Sequence, residues 1–319
     1  MGNRLDNQVI IVTGAGRGIG AEVAKLLAAD GASVVVNDLG GSLDGTGSSV
    51  SPADQTVQQI IENGGVAVPS FDSVDEYDAA GRIVQTAIDT YGRLDGLCHV
   101  AGILRDRMLF NMTEEEWDQV LKVHLYGAFN MVRNSIPHMI KQRYGRIVLF
   151  SSGSGLGASG QANYASAKEG MVGFTRGLAA ELKPFNISVN AVYPGGATRM
   201  VSSIPETTTK LRERQRSTTS TTSTELKTQG GPIKGPMEAS SPANNAPKAA
   251  YLCTKAGGSI TGQVIGTSGW VMSLYSPRHV VHSIHKQGRW TLDELDRLIP
   301  ISLGSELSNP VPPEPQREK

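Results

Sequence analysis

The sequence predicts an α/β protein, a doubly wound parallel sheet that forms a single domain with a C-terminal extension. Short apolar runs alternate with helical patterns along most of the chain, and continuous apolar runs are typical of parallel strands buried on both faces. A glycine-rich turn joins the first apolar run to the first helix. Residues suited to ligand binding follow several predicted strands, at the edge where such sheets hold their ligands.

The first predicted strand and helix flank the glycine-rich turn. The strand covers residues 9–13, the turn is TGAGRGIG at 13–20, and the helical pattern covers 21–29. The glycines permit a tight turn, and the helix start offers free N–H groups and a positive dipole end to a pyrophosphate. Because the spacing differs from the commoner G-x-G-x-x-G, a turn without a ligand is the alternative. The flanking strand and helix favour a nucleotide site, with these candidate contacts: Gly14, Arg17, Gly18, Ile19 and Gly20.

The second predicted strand, residues 33–37, ends at Asp38. An acidic residue about 20 positions beyond the glycines can accept hydrogen bonds from the adenosine ribose, and it would repel a 2′-phosphate. Arg17 favours the opposite preference, since a cation there could bind that phosphate. We expect Asp38 to dominate, so NAD is favoured over NADP. The alternative is that Asp38 only forms a turn before Leu39.

The next predicted elements bring further candidate contacts to strand ends. Two helices and two strands alternate here, at residues 51–63, 66–69, 76–91 and 94–100. Asp72 follows the first of these strands, where it could bond the adenine amino group or only cap a loop. Ala101 and Gly102 follow the second strand, and their small size would let a cofactor pass close to the backbone.

A long helix is predicted from the capping box at Thr113 to about residue 140. His124 lies on it, in one stripe with Trp117, Val120 and Gly127. A lone histidine on such a stripe is usually a core residue, and its position alone does not indicate more.

A serine pair and a Tyr-x-x-x-Lys pair follow the next strand. The strand covers residues 147–150, and the serine pair, Ser151 and Ser152, follows it directly. Tyr164 and Lys168 lie in the helix predicted at residues 162–183. The spacing of four places the phenol and the ammonium on one helical face. Lowering a tyrosine pKa from about 10 to about 7 needs roughly 4 kcal/mol, and a cation about 4 Å away supplies about that much. The pair is therefore a candidate acid/base device for an alcohol proton, and the alternative is an ordinary surface pair.

The last part of the sheet contains further candidate cofactor contacts and a polar segment. A strand at 187–192 is followed by Pro194, Gly195 and Thr198. Residues 201–246 are rich in Ser, Thr, Pro and Gly, and we expect them to be a mobile lid or insertion. Their basic residues outnumber the acidic ones, so the segment could be a solvated linker or could meet a phosphorylated carrier such as coenzyme A.

The chain after this segment completes the sheet and then continues beyond it. A helix at 246–255 and a strand at 262–267 close a dinucleotide-binding domain predicted to span residues 1–268. The extension at 269–303 contains a short helix capped by Thr291 and Glu294. Residues 304–319 are predicted to be a disordered tail.

Composition limits the classes of protein that the chain can represent. Its 319 residues carry a formal net charge of zero, which argues against a nucleic-acid partner. Cys98 and Cys253 lie in apolar runs, typical of core thiols in a reducing compartment. No apolar run reaches membrane-spanning length, the N-terminus enters a strand without a signal sequence, and the C-terminus is not Ser-Lys-Leu. We expect a cytoplasmic protein without a membrane partner, and the motifs predict no metal site.

Taken as an ordered set, these motifs resemble the short-chain dehydrogenase/reductase superfamily, over roughly residues 6–268. The stretches NDLGG, FDSVDE, GILRDR, VHLYG, YGRI and GQANYASAK are similar to the (3R)-hydroxyacyl-CoA dehydrogenase domain of the peroxisomal D-bifunctional enzyme and its free-standing bacterial relatives. The resemblance implies a Rossmann fold, a nicotinamide cofactor, a homodimer or homotetramer, and a small-molecule substrate that is a CoA thioester or a related alcohol.

The resemblance also implies roles for individual residues. Tyr164 would be the general acid/base, and Lys168 would lower its pKa and bind the nicotinamide ribose. A serine of the pair would polarise the substrate oxygen. His124 occupies the place where the superfamily usually has an Asn that holds a proton-relay water, as it does in the subfamily named.

The chain departs from the superfamily pattern at two places. His99 and Val100 replace the usual Asn-Asn before Ala101-Gly102, which puts the polar contacts that support the cofactor in question. The loop between serine and tyrosine is one residue short, so spacing to the tyrosine selects Ser151 and strand register selects Ser152. We predict Ser152, because a glycine-rich loop absorbs a deletion more easily than a buried strand end shifts.

Three functions are consistent with this sequence. The leading hypothesis is NAD-dependent interconversion of a secondary alcohol and a ketone, with a 3-hydroxyacyl-CoA type of substrate. The second is a dehydrogenase/reductase of free alcohols, ketones or steroids. The third is an NAD-binding regulator without catalysis, against which the complete Ser–Tyr–Lys set argues.

Overall fold

The computed structural model describes residues 2–42, 44–47, 51–196 and 238–306. Eight strands form one sheet in the order β3-β2-β1-β4-β5-β6-β7-β8. The strands are β1 (Val9–Thr13), β2 (Ser33–Asn37), β3 (Val66–Ser70), β4 (Gly96–His99), β5 (Gly145–Phe150), β6 (Ile187–Tyr193), β7 (Val264–Gly266) and β8 (Ser273–Leu274). Strands β1 to β7 pair in parallel, and β8 pairs with β7 in the antiparallel sense.

Helices cover both faces of this sheet. They are α1 (Gly18–Ala29), α2 (Ser51–Glu62), α3 (Tyr77–Tyr91), α4 (Glu114–Leu121), α5 (Gly127–Gln142), α6 (Ala162–Leu182), α7 (Ala246–Cys253) and α8 (Leu292–Leu298). The predicted doubly wound α/β architecture is confirmed. Among the described residues, no helix combines the length and apolar character that a membrane span requires.

The apolar runs form strands because both of their faces are buried. In β1, Ile10 and Val12 pack in one hydrophobic cluster with α1 and α7, while Val9 and Ile11 pack in a second cluster with α3 and α5. Alternate side chains point to opposite faces of a strand, so a strand between two helical layers must be apolar at every position.

Two differences from the sequence-based prediction concern helices and strands. The helix predicted from Thr113 to about residue 140 is present, but it contains an unpredicted π-helical turn at Lys122–Tyr126 between α4 and α5. One residue added to a helical turn does not disturb the apolar pattern enough to be seen in the sequence. The edge strand β8 was not predicted, since two residues carry no periodicity.

The predicted mobile segment and the predicted tail lie largely outside the described residues. Residues 201–237 and 307–319 are not described, and these include the basic residues proposed to meet a carrier. The described end of the first segment is ordered as a 3₁₀ turn at Pro242–Asn245 that leads into α7. The described start of the tail forms a 3₁₀ turn at Leu303–Glu306.

The strand order determines where a ligand can bind. Strands β2 and β3 lie on one side of β1, whereas β4 to β7 lie on the other side. Connections from β1 and β4 therefore run in opposite directions, and this opens a crevice at the carboxyl ends of these strands.

Candidate active site

A cavity of about 580 Å³ opens at the carboxyl ends of the parallel strands. Most of the predicted site residues line it: Gly14, Arg17, Gly18, Ile19, Gly20, Asp38, Asp72, Ala101, Gly102, His124, Tyr164, Lys168 and Pro194. Ser151 also lines it, whereas Ser152 and Gly195 do not. Thr198 lies outside the described residues. The structure thus brings residues from six separate strand ends into one site.

The glycine-rich turn has the geometry of a phosphate cradle. Gly14 has φ +62°, and a Cβ at this position would lie 2.7 Å from the Cα of Ala101. A Cβ at Gly20 would lie 2.2 Å from the carbonyl oxygen of Gly14. Helix α1 begins at Gly18, and its N-cap residue Arg17 makes no side-chain capping bond. The N–H groups of this helix start are therefore available to an anion, as the pyrophosphate of a dinucleotide would require.

Asp38 is fixed at the carboxyl end of β2. Its Oδ2 accepts a hydrogen bond from Gly16 N (2.8 Å) and its Oδ1 accepts one from Gly40 N (2.7 Å). Each carboxylate oxygen has further lone-pair capacity, so Asp38 can still accept hydrogen bonds from ribose hydroxyls. Asp38 therefore stabilises the turn at the end of β2 and also lines the cavity. From the sequence alone, the turn and the ligand contact are alternatives.

Asp72 is held by two partners that the sequence did not indicate. Arg82 contacts its Oδ1 through Nη2 (2.6 Å) and Nε (2.8 Å). The Asn37 amide donates to the backbone oxygen of Asp72 (2.9 Å). These contacts fix the segment after β3 against the end of β2, beside the cavity.

His99, which stands where the superfamily pattern has an asparagine, contacts Thr13 at the end of β1. Thr13 Oγ1 accepts hydrogen bonds from Val100 N (3.1 Å) and Ala101 N (3.2 Å), and it lies 3.0 Å from Nδ1 of His99. Burial, with a smaller contribution from Lys168, lowers the pKa of His99 to about 3. The imidazole is therefore neutral at physiological pH and ties the end of β4 to the end of β1.

Tyr164 and Lys168 both project from α6 into the cavity. Lys168 Nζ lies 5.5 Å from the centroid of the Tyr164 ring and donates to the Phe150 carbonyl at the end of β5. The side chains are almost fully enclosed, with exposed fractions of 8% for Tyr164 and 3% for Lys168. Burial lowers the pKa of Lys168 from 10.5 to about 7. The predicted common face is confirmed by this arrangement, and the pair is in contact with the cavity.

The two serines at the end of β5 have different hydrogen bonds. Ser151 is buried and its hydroxyl donates to the Lys168 carbonyl oxygen (2.6 Å). Ser152 is half-buried, and its Oγ accepts from Ser154 N (3.1 Å) as the cap of a 3₁₀ turn. Among the described residues, the Ser152 hydroxyl proton has no acceptor, whereas the Ser151 proton is already donated.

His124 lies in the π-helical turn and contacts the catalytic tyrosine candidate. The rings of His124 and Tyr164 are perpendicular, with centroids 5.0 Å apart. The His124 Nε2 lies 2.8 Å from the Ile103 carbonyl oxygen, while its buried Nδ1 has no hydrogen-bond partner among the described residues. Burial, the Lys168 ammonium and His99 hold the pKa of His124 well below its usual value, against the opposing Ile103 carbonyl. His124 is thus a neutral imidazole with an open ring nitrogen, which distinguishes it from a satisfied core histidine.

Asn163 lies directly before Tyr164 without lining the cavity, and the sequence-based prediction did not name it. Its Nδ2 donates to the carbonyl oxygens of Arg105 (3.0 Å) and Glu116 (2.9 Å), and its Oδ1 accepts from Tyr164 N (2.8 Å). This buried amide joins the start of α6 to α4 and to the segment after β4. Its one sequence signal is its position next to Tyr164, which does not reveal such distant partners.

Comparison with protein families and curated proteins gives consistent matches. The family model described as short chain dehydrogenase matches residues 8–209. A Mycobacterium tuberculosis protein described as a short-chain type dehydrogenase/reductase is 50% identical over 210 residues, which are 65% of this chain and 73% of that protein. The mouse peroxisomal multifunctional enzyme type 2 is 45% identical over 202 residues, 63% of this chain and 27% of that enzyme. A 3-oxoacyl-acyl-carrier-protein reductase of Thermotoga maritima is 40% identical over 212 residues, 66% of this chain and 81% of that protein.

A solved structure matches nearly the whole chain. It is a crystal structure of a short chain dehydrogenase from Mycobacterium avium, 35% identical in sequence, with a TM-score of 0.79. The match covers 98% of this chain and 99% of the other. The chain thus spans about a quarter of the mouse multifunctional enzyme but the full length of a separate bacterial protein, and the likeness to both kinds of relative expected from the motifs is confirmed.

Proposed function

The chain belongs to the short-chain dehydrogenase family, whose members are oxidoreductases acting on CH–OH groups, and we propose that it oxidises a 3-hydroxyacyl thioester with NAD or catalyses the reverse reduction. The observation that carries this proposal is the shared cavity. It joins an uncapped helix start suited to a pyrophosphate with a tyrosine and a lysine suited to proton transfer.

The proposed reaction divides the alcohol hydrogens between cofactor and protein. A nicotinamide bound in the cavity would accept the C–H hydrogen as hydride. Tyr164 Oη removes the hydroxyl proton during oxidation and returns it during reduction. The Lys168 ammonium stabilises the phenolate form of Tyr164, and its enclosure in low-dielectric surroundings strengthens that attraction. In the tautomer whose Nε2 donates to the Ile103 carbonyl, His124 Nδ1 keeps a lone pair that would accept from a proton-relay water.

We assign the hydroxyl that polarises the substrate oxygen to Ser152. A serine can stabilise developing negative charge only by donating its proton, and Ser151 already donates to the Lys168 carbonyl. Ser152 accepts from a backbone N–H and retains its proton for a substrate. This chemical difference supports the assignment that strand register gave, although Ser151 is the serine that lines the cavity.

NAD is the proposed cofactor because of the charge at the end of β2. The Asp38 carboxylate is held in the cavity by two backbone N–H groups, where it can bind ribose hydroxyls and would repel a 2′-phosphate. Arg17 lines the same cavity and would attract that phosphate. Two backbone hydrogen bonds hold the Asp38 carboxylate in place, so it cannot easily turn away from a 2′-phosphate. We therefore propose that the protein prefers NAD to NADP.

Two relatives support an acyl thioester as the substrate. The Thermotoga maritima relative is by name a 3-oxoacyl-acyl-carrier-protein reductase, and the mouse relative is by name a peroxisomal multifunctional enzyme. A dehydrogenase/reductase of free alcohols, ketones or steroids remains the second candidate function, because the same Tyr–Lys pair serves any secondary alcohol. A regulator that binds NAD without catalysis is the third.

The setting of the enzyme is part of the proposal. We place it in the cytoplasm as a homodimer or homotetramer, acting on a small molecule and not on nucleic acid or membrane. The free thiols of Cys98 and Cys253 agree with a reducing compartment.

A steady-state substrate panel tests this function. Purified protein is assayed with NAD and NADP against 3-hydroxyacyl-CoA thioesters of several chain lengths and against the matching free 3-hydroxy acids and alcohols. We expect kcat/KM to be at least tenfold higher with NAD than with NADP and with thioesters than with free compounds. Equal rates for thioester and free alcohol would contradict the substrate, and binding of NADH without turnover of any alcohol would support the regulator.

A further inference from the structure

Asn245 makes an unusually complete set of hydrogen bonds next to the cavity. Its Oδ1 accepts from Gly195 N (3.3 Å) and from Thr267 Oγ1 (2.7 Å). Its Nδ2 donates to the carbonyl oxygens of Gly195 (2.9 Å) and Pro242 (3.0 Å). The side chain is fully buried, and these four bonds use both lone pairs and both N–H groups of the amide.

The amide therefore pairs with the backbone of Gly195 as a neighbouring strand would. It satisfies both the N–H and the C=O of Gly195, which lies just beyond the end of β6 where the ladder to β7 has ended. An apolar side chain at position 245 would remove the partners of these partly buried backbone groups. The loss costs about 1–3 kcal/mol for a fully buried group and less where water can reach the group. The bonding pattern explains why this position carries an amide.

Gly195 is confined on its other side as well. A Cβ at Gly195 would lie 2.1 Å from the Ser268 Oγ and 2.5 Å from the Ser268 Cβ, so the backbone is in direct contact with Ser268. The loop that carries Ser268 is in turn held by Lys248 on α7. Its Nζ donates to the carbonyl oxygens of Thr267 (3.2 Å), Gly269 (2.5 Å) and Val271 (2.9 Å). Gly195 thus lies between Asn245 and Ser268. Asn245 directly precedes α7, and Lys248 of α7 holds the loop that contains Ser268.

The contacts of Asn245 and Ser268 with Gly195, called here the Gly195 clamp, hold one wall of the cavity in place. Pro194 precedes Gly195 and lines the cavity, and Pro242, the other carbonyl partner of Asn245, lines it too. Since Asn245 itself does not line the cavity, it can act on a bound dinucleotide only through the position of these two residues. A shift of the Gly195 clamp would move Pro194 and Pro242 without removing any group that lines the cavity.

We propose that Asn245 is a positioning residue for cofactor binding: it holds the Pro194–Gly195 backbone in place as part of the cavity wall against which the dinucleotide would bind. The inference rests on the proposed function, because it assumes that the cavity holds a nicotinamide dinucleotide. It differs from a general role in folding, since it predicts a change in cofactor affinity in protein that is fully folded.

The test compares Asn245→Asp with Asn244→Asp. The aspartate at 245 directs oxygen instead of N–H toward the Gly195 and Pro242 carbonyls, whereas Asn244 donates only to Glu238 and Ala239 in the same turn. NADH dissociation constants are measured by titration of the cofactor-free protein, together with KM for NAD, kcat and the melting temperature. We expect Asn245→Asp to raise the dissociation constant and KM at least tenfold, and Asn244→Asp to change both by less than twofold.

Two outcomes would overturn the inference. One is folded Asn245→Asp protein that binds NADH within twofold of wild type. The other is a lower Vmax in proportion to the unfolded fraction, with KM unchanged, as a purely structural role predicts. If Asn245→Asp does not fold, Thr267→Val removes one hydrogen bond to Oδ1 at nearly constant volume. This variant should raise the dissociation constant about threefold or more, and unchanged affinity would contradict the inference.

The proposed function and this inference can fail separately. Wild-type protein that binds neither NADH nor NADPH would contradict both. Wild-type protein that binds NADH and turns over an alcohol, together with Asn245→Asp protein that does the same with equal KM, would contradict the role of Asn245 alone.

Discussion

At the residue scale, the chemistry depends on which groups have a proton to give and which can hold one. The Ser151 proton is donated to a backbone carbonyl, while the Ser152 proton has no acceptor among the described residues. His124 and Lys168 are both enclosed, and burial is the largest cause of the lowered pKa of each. These assignments lead to two predictions about single side chains.

Replacing each serine separately identifies the catalytic hydroxyl. Ser152→Ala should lower kcat about 10²- to 10³-fold, because it removes a donor to the developing oxyanion. Ser151→Ala should lower kcat by less than about tenfold and cost about 1 kcal/mol of stability through the lost bond to Lys168. Kinetics and urea unfolding measure the two effects. A larger loss of kcat in folded Ser151→Ala protein would transfer the catalytic role to Ser151.

The buried Lys168 predicts a pH dependence of stability in the cofactor-free protein. Its pKa is 10.5 before folding and about 7 in the folded state, so between these values the unfolded chain binds more protons. The contribution of Lys168 to stability therefore increases as pH rises from about 7 toward 10.5, with a slope of up to about 1.4 kcal/mol per pH unit. Because other groups titrate in this range, the relevant quantity is the difference from Lys168→Met.

Urea unfolding of the wild type and Lys168→Met between pH 7 and pH 9 measures that difference. The methionine variant should be the more stable protein at pH 7, and its advantage should shrink as pH rises. Parallel stability curves over this range would show that Lys168 does not carry the lowered pKa.

At the element scale, turns and helix ends position the reactive groups. The π-helical turn between α4 and α5 contains His124, and Gly102 packs so closely against this ring that a Cβ there would lie 2.1 Å from its Cε1. Helix α1 begins within the glycine-rich turn, where its N–H groups face the cavity. The glycines of the sequence indicated the start of α1. The π-helical turn was not indicated, because it depends on a local change in helical hydrogen bonding that no residue composition reveals.

The start of α1 gives a prediction with a matched control. Gly18 has φ +58° and Gly92 has φ +76°, and a Cβ at either position would have no atom within 4 Å. Replacing either by Ala should cost about 1–2 kcal/mol of stability through the left-handed backbone conformation. Only Gly18→Ala should also weaken NADH binding, by about tenfold or more, because Gly18 lines the cavity. Equal NADH affinity in the two variants, measured by titration, would exclude a phosphate site at this helix start.

At the scale of the whole molecule, the sheet brings distant parts of the chain to one edge. The sheet and the position of the site at its edge could be predicted from the sequence, because apolar strand runs and the residues that follow them are local patterns. The side-chain hydrogen bonds that connect distant segments could not be predicted. Asn163 bonds Arg105 and Glu116, and Asn245 bonds Gly195, across about 50 residues of chain. A single buried amide has no periodicity, so its partners become visible only when the fold is known.

The substitution Tyr164→Phe tests the central claim most directly, since it removes one hydroxyl and preserves the ring that packs against His124. The measurement is turnover of the best alcohol substrate together with NADH affinity. We expect kcat to fall by about 10³-fold or more, in line with the loss of a general acid/base, and NADH affinity to stay within a few-fold of wild type. Turnover by Tyr164→Phe protein at a tenth of the wild-type rate or more would contradict the account.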